Sequence, residues 1–152
     1  LQLNYTPAIN ELTPNCKREA GARPGKFSYK QLGRPDMDND YPIVRLGDLY
    51  LIRGEAKARQ SGNWNDALAD VNVIRRRAKV SEYTTLNAAE FLKERGREMY
   101  QEGIRRTDLI RFGRYNDAWW EKPASQPFRN LFPIPQDAIN ASGGTLKQNP
   151  GY

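Results

Sequence analysis

The sequence predicts an all-α fold: a helical middle with long irregular flanking segments. Apolar residues in the middle recur at spacings of three and four, the period of a helix face. Helix-capping residues stand at the ends of these periodic stretches, and there is neither the alternation of a strand nor an Asn-Gly hairpin signal. Leu, Ile, Val and Phe supply 6 of residues 1–40, 18 of residues 41–115 and 6 of residues 116–152, so only the middle can build a core.

The first two helices are predicted on either side of a Gly-Asn turn. The first starts at Asp40-Tyr41-Pro42, a capping acid followed by proline, and ends at Ser61-Gly62. Its apolar face is expected to hold Ile43, Leu46, Leu49, Tyr50 and Arg53. The second is capped by Asn63 or Asn65, and one side carries Ala67, Leu68, Val71, Ile74 and Ala78.

The third and fourth helices are also delimited by local signals. Asn87 with Glu90 three residues later forms a capping box for the third helix, which is predicted to run to about Gly103. The fourth is predicted from Thr107 to Phe112, and Gly113 ends it.

The first two helices resemble one tetratricopeptide unit. That repeat of about 34 residues is a helix pair in which small residues allow close approach. Residues 62–67, Gly-Asn-Trp-Asn-Asp-Ala, fit its turn and second-helix start, and Ala56 and Ala58 are small residues on the first helix. Because several such units are needed to bury a continuous core, we expect neighbouring helix pairs outside this chain.

The predicted organisation has three parts. Residues 1–40 form an irregular segment that docks on missing upstream structure, 41–115 form the tetratricopeptide-like core, and 116–152 form an irregular tail. We expect the whole to be a C-terminal fragment of a larger domain, because the flanks are too poor in apolar residues to build their own cores.

Composition excludes several functions. The chain has no His and one Cys, Cys16, which excludes His-dependent triads, an intrachain disulfide and the usual zinc sites. No stretch approaches the ~18 apolar residues of a membrane span. The net charge is +6, but the excess cations lie in the middle among acids, so no nucleic-acid binding is expected.

The third helix carries a stripe of acids at intervals of four: Glu90, Glu94, Glu98 and Glu102. Like charges at this spacing repel, so cations must lie beside them. We predict a structural ion-pair network of Glu94, Glu98, Glu102, Arg97, Arg105, Arg106 and Arg111 that ties the third and fourth helices together. The alternative is a carboxylate glycosidase, which needs two acids about 5–10 Å apart across a cleft. Arginine neighbours lower a carboxyl pKa, the wrong direction for a general acid.

Four sequence blocks together resemble the SusD/RagB family. They are DYPIVRLGDLYL at 40–51, DALADVNVIRRRA at 66–78, ERGREMYQEGIRRTDLIRFG at 94–113, and LFPIP at 131–135 with QNPGY at 148–152. Their order and spacing match the family over residues 23–152, as in the C-terminal part of a member.

The resemblance implies an outer-membrane, surface-exposed lipoprotein that binds a glycan or other nutrient and delivers it to a SusC-like TonB-dependent transporter. It implies a protein that is not an enzyme and has no cofactor or metal site. The signal peptide and lipidated cysteine are expected upstream of Leu1. An alternative is a helical-repeat scaffold for protein–protein interaction, which would expose an apolar groove and bind no saccharide.

Three aromatic residues after the fourth helix are candidates for a ligand site: Tyr115, Trp119 and Trp120. Sugar faces stack on flat aromatic rings, which suits these side chains to a glycan. The alternative is that they pack against parts of the protein outside this chain.

Overall fold

The computed structural model describes residues 4–9, 14–22, 25–27 and 39–152. Its α-helices are α1 Leu46–Ser61, α2 Leu68–Arg77, α3 Ala88–Glu98, α4 Arg105–Arg111 and α5 Gln136–Ala141. Two 3-10 turns span Trp64–Ala67 and Pro127–Asn130. The described residues contain no strand, only two isolated bridges, Thr6 with Ala20 and Trp119 with Lys122. The predicted all-α class is confirmed, whereas the short helix α5 was not predicted.

The chain divides into two compact units, Leu1–Tyr41 and Pro42–Tyr152. Within the described part of the first, the Thr6 amide donates to the Glu19 carbonyl at 3.0 Å. The amide of Gly21 donates to the Ala8 carbonyl at 3.2 Å. All five α-helices belong to the second unit. The division of the sequence into 1–40, 41–115 and 116–152 stays a prediction.

Helix α1 begins at Leu46, so the predicted start at Asp40-Tyr41-Pro42 is wrong. The capping position belongs to Arg45, whose backbone is extended and whose side chain makes no cap. Instead, that side chain binds carboxylates at the far end of α3, a constraint that the local sequence does not reveal. The end is as predicted, because Gly62 adopts the left-handed conformation, φ 74°, that terminates a helix.

The core lies between α1, α2 and α3. Rings of Trp64, Phe91 and Phe112 pack together with centroids 5.2 to 6.3 Å apart. Phe91 is buried, whereas Trp64 and Phe112 are partly buried against the core. The other buried apolar side chains packed in this core are Leu51, Ala58, Ala67, Val71, Ile74, Leu86 and Met99.

The buried side of α1 differs from the predicted apolar face. Its buried residues are Leu51, Gly54, Glu55 and Ala58, whereas Ile43, Leu46, Leu49 and Arg53 are exposed and Tyr50 is partly buried. Gly54 lies against the second element, since a Cβ there would stand 3.2 Å from the Cβ atoms of Ala67 and Asp70. This close approach of α1 and α2 confirms the tetratricopeptide-like pair.

Local caps set the starts of the later elements. The Asn63 side chain accepts from the Asn65 amide at 3.1 Å and opens the 3-10 turn that leads into α2. The Asn87 side chain accepts from the Glu90 amide at 2.9 Å, as predicted for α3.

The predicted end of the third helix at Gly103 is wrong. Helix α3 ends at Glu98, and the chain then turns through Gln101 and Gly103, both with positive φ. Glu102 therefore lies off the helix, where its carboxylate reaches Arg45. Helix α4 starts two residues before the predicted Thr107 and stops before Gly113, φ 66°.

The segment after α4 is held by side chains rather than by a sheet. The Gln148 side-chain amide accepts from the Ile134 amide at 2.8 Å and donates to the Ile134 carbonyl at 2.9 Å. The Tyr152 hydroxyl donates to the Leu131 carbonyl at 2.9 Å. These bonds fix the proline-containing stretch 131–135 against the last residues.

Candidate functional site

A cleft of about 580 Å³ lies beside α3, α4 and the segment that follows α4. Leu92, Leu109 and Phe112 contribute apolar surface to it. Charged side chains that line it are Lys93, Arg105, Arg114 and Asp117, and the aromatic ring at its edge is Trp119. Apolar surface with a few polar groups is the usual character of a small-molecule site.

Trp119 stands on a tight turn. Its amide and carbonyl pair with the carbonyl and amide of Lys122 at 3.0 and 2.9 Å, and Glu121 between them has φ 56°. The Lys122 ammonium lies 4.1 Å from the Trp119 ring centroid and donates to the Asp117 carbonyl at 3.0 Å. The turn thus presents a half-exposed indole with an ammonium group on one face.

Trp120 and Tyr115 occupy different surroundings. Trp120 is half-exposed on the same turn but is not among the residues that line the cleft. The ring of Tyr115 lies 5.1 Å from the Arg106 guanidinium, which also stacks on Phe132 at 3.9 Å. Of the three predicted aromatic residues, the structure therefore brings only Trp119 to the cleft.

Three of the four acids of the stripe, Glu94, Glu98 and Glu102, are bound by arginines. Glu94 accepts from Arg97 at 2.6 Å, as predicted, and from Arg75 at 2.7 Å. Glu98 accepts from Arg45 at 2.5 Å and from Arg77 at 2.7 Å.

Glu102 accepts from Arg45 at 2.8 Å, while the partly buried Glu90 accepts from Lys93 at 2.6 Å. Arg45 thus joins the start of α1 to the end of α3 and the turn beyond it. A hydrogen bond from Lys93 lowers the pKa of Glu90.

The predicted partners from α4 are wrong. Arg105 donates to the Leu92 carbonyl at 2.8 Å, and Arg106 donates to the Arg129 and Asn130 carbonyls at 3.2 and 3.0 Å. These two arginines satisfy carbonyl oxygens rather than the acid stripe.

Arg111 reaches away from α3. It binds Glu55 on α1 and donates to Asp108 at 2.7 Å. The ion pair between α3 and α4 is instead the buried one of Arg95 and Asp108 at 2.8 Å, and Arg95 also donates to Asp48 at 3.1 Å. The sequence reasoning missed Arg45, Arg75, Arg77 and Arg95, whose partners lie 13 to 57 residues away.

The positive charges of Arg45 and Arg111 are stabilised in the folded state. Burial opposes the charge of Arg45, but hydrogen bonds and attraction from Glu102 and Glu98 outweigh it and raise its pKa. The hydrogen bond to Glu55 raises the pKa of Arg111. These pairs fit a structural network, because their carboxylates accept hydrogen bonds from guanidinium groups, whereas a general acid needs a protonated carboxyl that can donate to a substrate.

Within the described ranges, no group of three or more His, Cys, Asp or Glu side chains is placed to hold a metal ion. None of the helices described is both long and apolar enough to cross a membrane.

The close helix pair and its continuation into α3 and α4 place this chain in the class of all-α proteins built from tetratricopeptide-like pairs. The sequence model of the SusD family matches residues 14–130, and the chain therefore belongs to the SusD family. It is 36% identical over 140 residues to "Starch-binding protein SusD" of Bacteroides thetaiotaomicron, an alignment that covers 82% of this chain and 25% of that protein.

A solved structure is also similar to this chain. "Surface glycan-binding protein A from Bacteroides thetaiotaomicron" matches with a TM-score of 0.63 and 30% identity over 74% of this chain and 25% of the other. The chain thus spans about a quarter of the length of each relative.

Proposed function

We propose that the intact protein containing this chain binds a glycan, or another oligomeric nutrient, at the outer face of the outer membrane. It delivers the ligand to a SusC-like TonB-dependent transporter and catalyses no reaction. A lipid anchor outside these residues holds it at the surface. The names of two relatives, a starch-binding protein and a surface glycan-binding protein, support this proposal.

The observation that carries the proposal within this chain is the half-exposed indole of Trp119 at the edge of the 580 Å³ cleft. An aromatic face offers a sugar ring flat apolar contact, and neighbouring charged groups can bond its hydroxyls. Lys93, Arg114 and Asp117 supply such groups along the same cleft. We place the principal sugar contact at Trp119, with Trp120 on the same turn as a secondary contact.

Tyr115 has a weaker case, because it is not among the residues that line the cleft and its ring lies beside the Arg106 guanidinium instead. We propose that Tyr115 packs with Arg106 rather than touching the ligand.

The test is calorimetric titration of the intact protein with neutral and acidic oligosaccharides. Trp119→Ala should weaken binding by about tenfold, the order of one lost stacking contact with its buried area. Trp120→Ala should weaken it less, and Tyr100→Ala, which removes an exposed aromatic ring outside the cleft, should leave it unchanged. Wild-type affinity in Trp119→Ala would exclude this cleft as the glycan site.

Mass spectrometry of the recovered oligosaccharide tests the proposal that the protein catalyses no reaction. The ligand should be unchanged after prolonged incubation, whereas shortened products would support the glycosidase alternative.

A further inference from the structure

The cleft beside Trp119 carries an excess of positive charge. Three cations and one acid line it: Lys93, Arg105, Arg114 and Asp117. The acid is paired inside this group, because Nε of Arg114 lies 2.8 Å from Oδ2 of Asp117. Lys93 is paired with Glu90 at 2.6 Å. Arg105 is therefore the cation of the cleft whose charge is balanced by no carboxylate within the part of the chain that the structure describes.

Arg105 is held in place by the backbone of α3. Its Nη1 donates to the Leu92 carbonyl at 2.8 Å. The guanidinium also lies against Gly96, where an added Cβ would stand 2.8 Å from Nη1, so the absence of a side chain at Gly96 makes room for it. Arg105 forms no other hydrogen bond with the described residues, and it is exposed. The guanidinium is thus fixed on one side, and its remaining N–H groups are available to a ligand.

A second cation lies against the ring of Trp119. The Lys122 ammonium is 4.1 Å from the ring centroid and donates to the carbonyls of Asp117 and Pro123 at 3.0 and 3.2 Å. Its partners among the described residues are thus carbonyl groups and an aromatic ring, none of which carries a negative charge. A sugar held at Trp119 would therefore lie near an ammonium group as well as near the cations of the cleft.

We propose that the cleft binds an acidic glycan, with a sugar ring on Trp119 and an anionic substituent, a carboxylate or a sulfate, on Arg105. The inference rests on the proposed glycan site and adds the chemical class of its ligand. A guanidinium group binds such oxyanions through two parallel N–H donors. An anion would balance the charge of Arg105, which the hydroxyl groups of a neutral sugar would not. The expected ligand thus differs from starch, the uncharged glucan in the name of one relative.

A glycan array probed with the intact protein tests the proposal. It contains neutral, uronic acid-containing and sulfated oligosaccharides, so it also distinguishes a carboxylate from a sulfate as the source of the anion. The binders should be acidic. The tightest of them is then compared by calorimetry with its matched neutral form, made by carboxyl reduction or by desulfation. The neutral form should bind at least about tenfold more weakly, the order of one charge-assisted hydrogen bond.

Two variants test the role of Arg105. Arg105→Gln removes the charge and should bring the acidic and neutral forms to about the same affinity. Arg129→Gln is the control, because Arg129 is an exposed arginine that does not line the cleft, and this variant should keep the preference for the acidic form. Salt provides a second measurement on the unaltered protein. Raising its concentration from ~50 to ~500 mM should weaken binding of the acidic form more than that of the neutral form, since salt screens charges.

Equal affinity of the wild-type protein for the two forms, or binding to neutral members of the array alone, would overturn this inference. The proposed glycan site would remain if Trp119→Ala still weakened binding of that neutral glycan. Binding to no oligosaccharide of the array would count against the proposed function and against this inference together. An undiminished preference for the acidic form in Arg105→Gln would overturn the assignment of the anion to Arg105.

Discussion

Replacing Arg95 by Met should destabilise the protein strongly, because it breaks the buried tie between α3 and α4. The Arg95 and Asp108 side chains are only 4% and 3% exposed, and their nitrogen and oxygen atoms lie 2.8 Å apart. Removing one partner of such a pair leaves an uncompensated buried charge, which costs about 3–5 kcal/mol.

The contact that Asp108 keeps after the substitution places the expected cost at the lower end of that range. After Arg95→Met, the Asp108 carboxylate keeps Arg111 at 2.7 Å, but the Arg111 side chain is 45% exposed and its charge is partly screened. Asp48 also loses the bond from Arg95 at 3.1 Å. We therefore expect a loss of about 3 kcal/mol in the free energy of unfolding.

The matched control is a pair of similar length at the surface. Arg76 and Glu82 lie 2.7 Å apart, with side chains 56% and 44% exposed. Arg76→Met should cost less than about 1 kcal/mol, as exposed pairs do. Because the two pairs have nearly the same distance, the difference between the variants measures burial.

Urea unfolding followed by far-ultraviolet circular dichroism gives the loss in free energy of unfolding for Arg95→Met and for Arg76→Met. The double variant Arg95→Met, Asp108→Leu should lose less than the sum of its single variants, with a coupling of about 0.5–3 kcal/mol. Equal losses for Arg95→Met and Arg76→Met would refute the reasoning from burial.

Three further outcomes follow from the same contacts. Burial alone would raise the pKa of Asp70, but hydrogen bonds from Arg53 and Lys57 and their charges outweigh it and lower that pKa. The unfolded chain therefore binds this proton more tightly, so the stability from Asp70 is present above the unfolded pKa of about 3.9 and is lost as the pH falls through the folded value. Melting temperatures from pH 7 to 2 should fall less steeply for Asp70→Asn, and an unchanged slope would contradict this. Gly54→Ala should lower the free energy of unfolding in urea by about 1 kcal/mol. The added Cβ would stand 3.2 Å from the Asp70 Cβ, and the cost of this crowding exceeds the gain in helix propensity from alanine. A Gly54→Ala protein more stable than the wild type would exclude the close approach of α1 and α2. Arginines 75–77 are bound to acids, so we expect no specific affinity for DNA. Fluorescence anisotropy should give a dissociation constant for duplex DNA no tighter than the ~10⁻⁴–10⁻⁶ M range of non-specific binding at physiological salt. Sequence-selective submicromolar binding would contradict this expectation.

The features that the sequence predicted correctly depend on neighbouring residues. Asn63 and Asn87 cap helices because their side chains reach amides two or three residues away. Gly62 ends α1 because its left-handed backbone favours glycine. These interactions can be read from a few consecutive letters, which explains why the helix pair and the all-α class were predictable.

The start of α1 and the partners of the acid stripe depend on distant contacts. Arg45 stands in an extended stretch and binds Glu102, 57 residues further on. The signal Asp40-Tyr41-Pro42 predicts an earlier start for α1, and no residue near it reveals the bond between Arg45 and Glu102. For the same reason, the interval of four between the acids indicated that Glu98 needs cations beside it. It did not indicate which arginines supply them.

The candidate site was predictable only in part. Three aromatic residues near one another in the sequence were equivalent candidates, because their exposure depends on the fold. The fold places Trp119 at the cleft and Tyr115 beside Arg106.

Arginine and lysine side chains make different contacts in this protein, and the difference has a consequence for chemical modification. The buried acids Glu94, Glu98 and Asp108 are bound by guanidinium groups, which amine-directed reagents do not attack. Acylation of lysines should therefore leave these ties intact. It would, however, neutralise the ammonium that lies against the Trp119 ring and add bulk beside it. Among the buried acids, Asp70 would lose its bond from Lys57 but keep Arg53. Attachment to a biosensor surface through lysine amines would consequently mask the candidate glycan site, so an immobilised sample should be coupled through an enzymatically added biotin.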